Sequence, residues 1–503
     1  MSSIQNQYEA YKNELSQVAD YHGAIALLHW DNEVYAPSKS ADFRAQQIAT
    51  LSAAAHELAT SAKLGNLLEE LNANIAQLTE QQAKNVKLSL KDYKDATKLS
   101  TDFVKKYAKA KAEAYQAWIA ARKANDFKVF APALKTVVTL LKEQTELLGY
   151  EEHPYNALLD QYEIGATVAQ LDPLFKQIRE ELVTFAKELK EKGQATNADF
   201  LFKNYNKDKQ WDLGIQLLKD MGFDFEAGRQ DISVHPFTTN FSPLDVRVTT
   251  AIDENQPMSM IGSCIHEGGH ALYEQGLPAS HYGLPLANAV SLGIHESQSR
   301  LWENNIGLSL NYWTYQYPKF QTLFPENLAN VDLNTFYAAI NQVAPNLIRI
   351  QADELHYHLH ILVRYEIEKA LIEGSIEVED LSQIWNTKYK EFLGVEVPND
   401  LNGVLQDVHW CEGLMGYFPT YSLGSFYAAQ FFHKACQDIP TLETEIANGD
   451  TSKLLAWLRE NIHQYGRQYT PTELSIKATG EPLNVQYFID YVKAKYRKIY
   501  KIQ

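Results

Sequence analysis

The sequence predicts a mainly α-helical chain carrying one small β-sheet, and three observations point there. From the N-terminus to about residue 225, amphipathic runs place apolar residues three and four apart. Over residues 231–253, DISVHPFTTNFSPLDVRVTTAID, β-branched and aromatic residues alternate with polar ones, punctuated by Pro236 and Pro243. Helical patterning then returns and continues to the end, with no internal repeat, low-complexity tract or linker long enough to separate domains. The 503 residues therefore read as one body in three parts: a helical scaffold over 1–230, the sheet over 231–253, and a second helical part over 254–503.

Each element has a local reason. AEAYQAWIAARKA and LDPLFKQIREELVTFAKELKEKG are scaffold helices, the second with Asp172 as N-cap, Pro173 as first helical residue and Gly193 as the stop. IGSCIHEGGHALYEQG begins with apolar Met260 and Ile261 and continues with Ala271 and Leu272, which predicts a buried helix. GIHESQSRLWEN is a further helix able to pack beside it, and NLIRIQADEL is helical and apolar. Breaks are expected at GVEVPNDLNGV and from Gly413 to Gly424.

Composition narrows the function. Hydrophobic residues at 45% and aromatics at 12% supply a sizeable core, and a charged fraction of 22% is that of a globular protein. A net charge of −17 argues against nucleic acid or an anionic membrane as partner, because both need a basic surface. MSSIQNQYEAYKNEL has no basic region ahead of an apolar run, and nowhere do 18 consecutive apolar residues occur, so neither secretion nor membrane insertion is expected. Cys264, Cys411 and Cys436 are too scattered for a disulfide framework, which fits the cytoplasm, and no chemistry is assigned to them.

Chemistry concentrates in His266-Glu267-Gly268-Gly269-His270, an H-E-x-x-H pattern. Residues four apart share one helix face, so both imidazoles can grip one metal ion, while Glu267 is positioned to take a proton from water. Two unpaired histidines and a glutamate on a buried helix would be costly without a metal. The two glycines each lower helix propensity by about 1 kcal/mol, and close approach of a substrate is one reason to keep them. A catalytic zinc takes three protein ligands, so one is missing. Tyr273 and Gly276 exclude the metzincin arrangement. Glu296 is the best candidate for a carboxylate ligand and Glu303 the runner-up. His356, His358 and His360 in ELHYHLHIL mimic a metal cluster but lack the adjacent Glu, and read as packed or supporting histidines.

Further residues resemble the thermostable (Taq-type) carboxypeptidase family of zinc metallopeptidases. In chain order they are His235-Pro236-Phe237; Asp245, Arg247 and Thr249 in D-x-R-x-T; HEGGH; His295-Glu296-Ser297-Gln298; Ile348, Arg349, Ala352 and Asp353 in I-R-x-x-A-D; and Gly403, Gln406, Asp407, His409 and Trp410 in G-x-x-Q-D-x-H-W. Trp30-Asp31 with Arg44, and HPYNALLDQYE from His153, extend the resemblance over nearly the whole chain. Ala36 before Pro37 and Ile164 depart from it without touching the metal chemistry. The resemblance implies a single helical body with a deep central groove similar to the neurolysin-like zincins, and a homodimer. It also implies the ligand set His266, His270 and Glu296 for one divalent metal per chain, zinc first and cobalt second, with Glu267 as general base.

The expected reaction is hydrolysis of the C-terminal peptide bond of peptides by metal-activated water, with Glu267 passing the proton to the leaving amine. The developing oxyanion needs a second donor, for which Tyr421 and His409 are candidates. End-cutting requires recognition of a free carboxylate, which arginine does best. Arg349 is the choice, against the alternative of an ion pair with Asp353 at i+4; Arg247, on the same strand face as Asp245 and Thr249, and His235 complete the substrate-binding candidates. Two other readings compete: a zinc endo- or oligopeptidase on the same scaffold, and a catalytically inactive peptide-binding protein.

Overall fold

A computed structural model describes residues 3–194 and 196–502. The chain divides into two compact units: one of residues 1–97, 197–340 and 431–483, the other of 98–196, 341–430 and 484–503. Both are mainly helical, and the expected small sheet is present in the first.

The first unit opens on the long helix Ser3–Val34, which packs against Ala41–Ala59 and Ala62–Ala73. Leu64, Leu68 and Leu71 form a stripe at four- and three-residue spacing and are buried against Tyr8 and Tyr11. The sheet follows as β1 (Gly228–Ile232), β2 (Thr238–Ser242) and β3 (Asp245–Thr250), beginning three residues before the expected start. β3 is central, parallel to β1 and antiparallel to β2, with the register broken between Asn240 and Ser242. Strand alternation buries Val246 and Val248 and turns Asp245 and Arg247 to the other face, where Arg247 donates to Asp245 at 3.0 and 2.9 Å.

The helix Pro257–Glu274 carries HEGGH and starts with Pro257 at a position needing no N–H donor. The two glycines of HEGGH have a packing cause, whatever substrate approach they also allow. A Cβ on Gly268 would lie 2.7 Å from Leu218 Cδ2, and one on Gly269 would lie 2.7 Å from both the Gln298 carbonyl oxygen and Ser299 Cα. The glycines let this helix close onto Lys207–Met221 on one side and Leu292–Arg300 on the other. Leu292–Arg300, capped by Ser291 accepting from Ile294 N at 3.0 Å, runs directly into a π-helical stretch, Leu301–Gly307.

In the second unit the central helix is His356–Glu373, buried on all faces from His356 to Tyr365, with Val168–Lys192, Leu381–Leu393 and Gln486–Tyr500 among its companions. Three local expectations are corrected here. Val168–Lys192 starts one turn before Pro173 because Thr167 and Gln170 form a reciprocal capping box, and Asp172 instead pairs with Lys369 at 2.7 Å. Arg349 sits in the 3₁₀ turn Arg349–Gln351 and not in an α-helix, since Asp353 Oδ1 accepts from Leu355 N and His356 N and starts the next helix there. Tyr421 lies in the first turn of the helix Phe418–Asp438, not in a loop.

Candidate metal centre

The HEGGH helix and the helix after it bring three donors to one point. His266, His270 and Glu296 each offer a ligand atom, and these atoms lie within 4.8 Å of one another. Glu296 Oε2 stands 3.4 Å from His270 Nε2 and 3.7 Å from His266 Nε2. Among the described residues no other group of this kind occurs, so the His356, His358 and His360 series is not a metal site. Those imidazoles bond Asp353, Ser422 and Tyr389 instead.

The far side of each imidazole is also held. His266 Nδ1 meets Glu303 Oε2 at 2.7 Å, which makes Glu303 the partner of a ligand candidate. His270 Nδ1 meets His295 Nδ1 at 2.6 Å, and His295 Nε2 meets Glu274 Oε1 at 2.6 Å. Arg300 donates to Glu296 at 2.7 Å and to Glu303 at 3.0 Å, fixing both carboxylates from one guanidinium. Glu267 is held by Thr238 of β2, whose Oγ1 lies 2.7 Å from Oε2 and 3.0 Å from the Glu267 carbonyl oxygen. Thr238, Glu274 and Arg300 were not singled out from the sequence; the i+4 spacing from His270 to Glu274 and from Glu296 to Arg300 was the available signal.

The electrostatics suit a cation. Two carboxylates, Glu296 and Glu303, share the one guanidinium of Arg300, while Glu267 is bonded by Thr238 and Glu274 by His295. Burial alone would raise the Glu296 carboxyl, but Arg300 and the two imidazoles outweigh it and hold it well below the usual carboxylate range. Burial likewise works against a charge on His266, yet Glu296 and Glu303 push it up to about 9. His270 moves down, through burial and the neighbouring His295. A cation at these donors would replace the proton that the carboxylates otherwise hold on His266.

The remaining candidates fall into two surroundings. In the first unit His235 is exposed, and the HPF turn is held by Thr249, whose Oγ1 accepts from Phe237 N at 2.9 Å and from Ser233 Oγ at 2.7 Å. In the second unit Arg349 pairs with Asp407 at 3.0 Å, and not with Asp353, the partner that the alternative reading of Arg349 named. Asp407 also binds Arg364 at 2.5 Å. His409 Nε2 lies 3.4 Å from the Tyr421 hydroxyl. Burial, with Arg349 and Arg364 beside it, outweighs Asp407 and brings His409 down to about 4, so it is neutral at pH 7.

Two imidazoles four residues apart, a carboxylate from the following helix and a further carboxylate alongside are the equipment of a metal-dependent peptide hydrolase. A family model described as carboxypeptidase Taq (M32) metallopeptidase matches residues 10–496. The chain is 40% identical to carboxypeptidase 1 of Bacillus subtilis, covering 97% of each, and 39% identical to thermostable carboxypeptidase 1 of Thermus thermophilus, covering 98% of this chain and 99% of that one. The crystal structure of the M32 carboxypeptidase from Deinococcus radiodurans superposes with a TM-score of 0.97 at 37% identity, over 99% of this chain and 100% of that one. The chain belongs to the carboxypeptidase Taq (M32) family and is a metallocarboxypeptidase.

Proposed function

We propose that the metal is zinc, held by His266, His270 and Glu296, and that the enzyme removes residues from the C-terminus of peptides with Glu267 as general base. The observation that carries this reading is the convergence of three ligand atoms within 4.8 Å beside Glu267. Bound there, zinc would polarise the scissile carbonyl and make water acidic enough to attack near neutral pH. Cobalt suits the same ligands. Glu267, steadied by Thr238, takes the proton of the attacking water and delivers it to the leaving amine.

Tyr421 and neutral His409 are the proposed donors to the developing oxyanion. Arg349 is the proposed reader of the substrate carboxylate. Asp407 is shared between Arg349 and Arg364, so this buried cluster keeps a positive charge that favours an anion. Arg247 and His235 are proposed to contact the peptide, Arg247 less strongly because its guanidinium is already occupied by Asp245. A cytoplasmic location is supported by three free thiols, and a homodimer by the family resemblance. Among the described residues no helix is long and apolar enough to cross a membrane.

The test is mass spectrometry of an N-terminally blocked peptide treated with zinc-loaded enzyme. Stepwise loss from the C-terminus, absent with Glu267→Gln and absent on a C-terminally amidated peptide, is the expected result. Internal fragments, or equal cleavage of the amidated peptide, would replace this reading with an oligopeptidase. Metal analysis and sedimentation velocity check one zinc per chain and the dimer.

A further inference from the structure

The two proposed imidazole ligands are supported differently, and the difference sets where their protons sit. His266 reaches the Glu303 carboxylate directly at 2.7 Å. On its Nδ1 side His270 reaches one through a second ring: its Nδ1 faces His295 Nδ1 at 2.6 Å, and His295 Nε2 faces Glu274 Oε1 at 2.6 Å. The other oxygen of Glu274 accepts from the Asn240 side-chain amide. Glu274 has 10% and His295 19% of its side chain exposed, so the chain runs mostly out of water.

We infer that Asn240, Glu274 and His295 form a positioning relay that dictates the tautomer of His270. An ionised carboxylate only accepts hydrogen bonds, so both Asn240 and His295 must donate to Glu274. With one ring proton, His295 must carry it on the Nε2 that faces Glu274, which leaves Nδ1 bare. A bare Nδ1 must accept, so His270 carries its proton on Nδ1. The lone pair of His270 is thereby fixed on Nε2, the atom 3.4 Å from Glu296 Oε2. A carboxylate two bonds away thus presents a ligand atom to the metal without placing a second negative charge against the ring. Glu274 stands four residues after His270 and turns to the same helix face, and Asn240 sits where β2 loses its regular register with β3.

This inference rests on the proposed metal reading and is tested separately from it. Zinc affinity would be measured by competition with a chromophoric chelator for wild type, Glu274→Gln, His295→Ala and Glu274→Asp, with thermal melts of the metal-free proteins alongside. Wild type is expected to bind one zinc per chain. Glu274→Gln, which can donate to His295 and so releases the tautomer, and His295→Ala, which cuts the chain, are expected to bind on the order of 10- to 100-fold more weakly. Glu274→Asp is expected to recover most of the loss. Unchanged affinity in both Glu274→Gln and His295→Ala would overturn the relay while leaving the metal site standing; absence of zinc from wild type would overturn both. Should the variants fail to fold, nitrogen-15 spectra of histidine-labelled, zinc-loaded wild type decide the question. The relay requires a protonated Nδ1 on His270 and a protonated Nε2 on His295, and the opposite assignment on either ring rules it out.

Discussion

Three glycines on the HEGGH helix face different surroundings, so replacing each by alanine tests the packing argument in a graded way. Every such change gains about 1 kcal/mol of helix propensity, because alanine loses less backbone freedom than glycine. At Gly262 a Cβ meets nothing within 4 Å, and the whole gain should appear: Gly262→Ala stabilises by about 0.5–1 kcal/mol. At Gly268 the nearest atoms are the tips of Leu218 and Met221, at 2.7 and 2.9 Å, which can yield, so gain and crowding roughly cancel. At Gly269 the obstruction is backbone, Gln298 O and Ser299 Cα both at 2.7 Å, and it belongs to the helix that carries Glu296. Overpacking typically costs about 1–3 kcal/mol, which leaves Gly269→Ala about 0–2 kcal/mol less stable after the propensity gain. The larger effect is on the site, because relief requires the two helices to part and draws Glu296 from the imidazoles; a misplacement approaching 1 Å costs on the order of 100-fold in rate. Urea denaturation of the metal-free chains, with kcat/KM and zinc affinity of the loaded ones, reads both effects. A Gly269→Ala enzyme with wild-type zinc affinity and wild-type turnover would refute the claim that this glycine sets the spacing of the ligands.

Other outcomes follow from the same geometry. Exhaustive dialysis against a chelator should abolish peptidase activity, and added zinc or cobalt should restore it; activity surviving with less than a tenth of an equivalent of metal would contradict the metal centre. Glu303→Gln should weaken zinc binding by roughly 10-fold or more, since His266 loses a charged acceptor on Nδ1; equal affinity in a chelator competition would count against Glu303 as its support. Burial raises the Glu368 carboxyl to about 7 despite hydrogen bonds from Gly416 N, Tyr155 and Trp410. A carboxyl raised in the fold stays neutral while its unfolded counterpart ionises, so stability should fall between about pH 4.5 and 7, by roughly 3 kcal/mol at 1.36 kcal/mol per unit. Glu368→Gln should flatten that fall, and an unchanged pH profile of urea stability would count against it. Burial pushes the thiols of Cys264, Cys411 and Cys436 up to about 12. All three should therefore resist iodoacetamide at pH 8 until the chain is denatured, as peptide mass mapping would show.

The legible parts of this chain are those whose signal is periodic or chemically rare. HEGGH declared a helix with two imidazoles on one face and a carboxylate beside them, because the i, i+4 spacing is a property of the helix itself. The sheet was readable from alternation, including the common face of Asp245 and Arg247. What escaped was set by contacts between distant segments. Substrate approach was offered as one reason for the glycines of HEGGH, whereas Gly268 faces the side chains of Leu218 and Met221 and Gly269 the backbone of Gln298 and Ser299, contacts invisible in a local window. The alternative ion pair of Arg349 with Asp353 rested on helical spacing, but the chain there is a 3₁₀ turn and Asp353 is spent on starting the next helix. The actual partner of Arg349, Asp407, is 58 residues away. Thr167 with Gln170 carried an explicit capping box, and the more conspicuous Asp-Pro pair that follows obscured it.

The sheet earns its place through Glu267. The general-base role proposed for Glu267 requires its carboxylate to be held against the reacting water, and a glutamate on a helix has several rotamers available to it. Thr238 removes that freedom by bonding Oε2, and the position of Thr238 is fixed by its register opposite Val248 on β3. One residue earlier, Phe237 N is tied to Thr249 Oγ1 of the same strand. The His235-Pro236-Phe237 turn and the D-x-R-x-T strand are therefore joined by a hydrogen bond directly ahead of the residue that orients the base. Two motifs that look separate in sequence act on one side chain, which predicts that Thr249→Val should lower kcat of the zinc-loaded enzyme while leaving zinc affinity within about twofold of wild type. A loss of zinc binding in that variant would mean that the sheet holds the ligands and not the base.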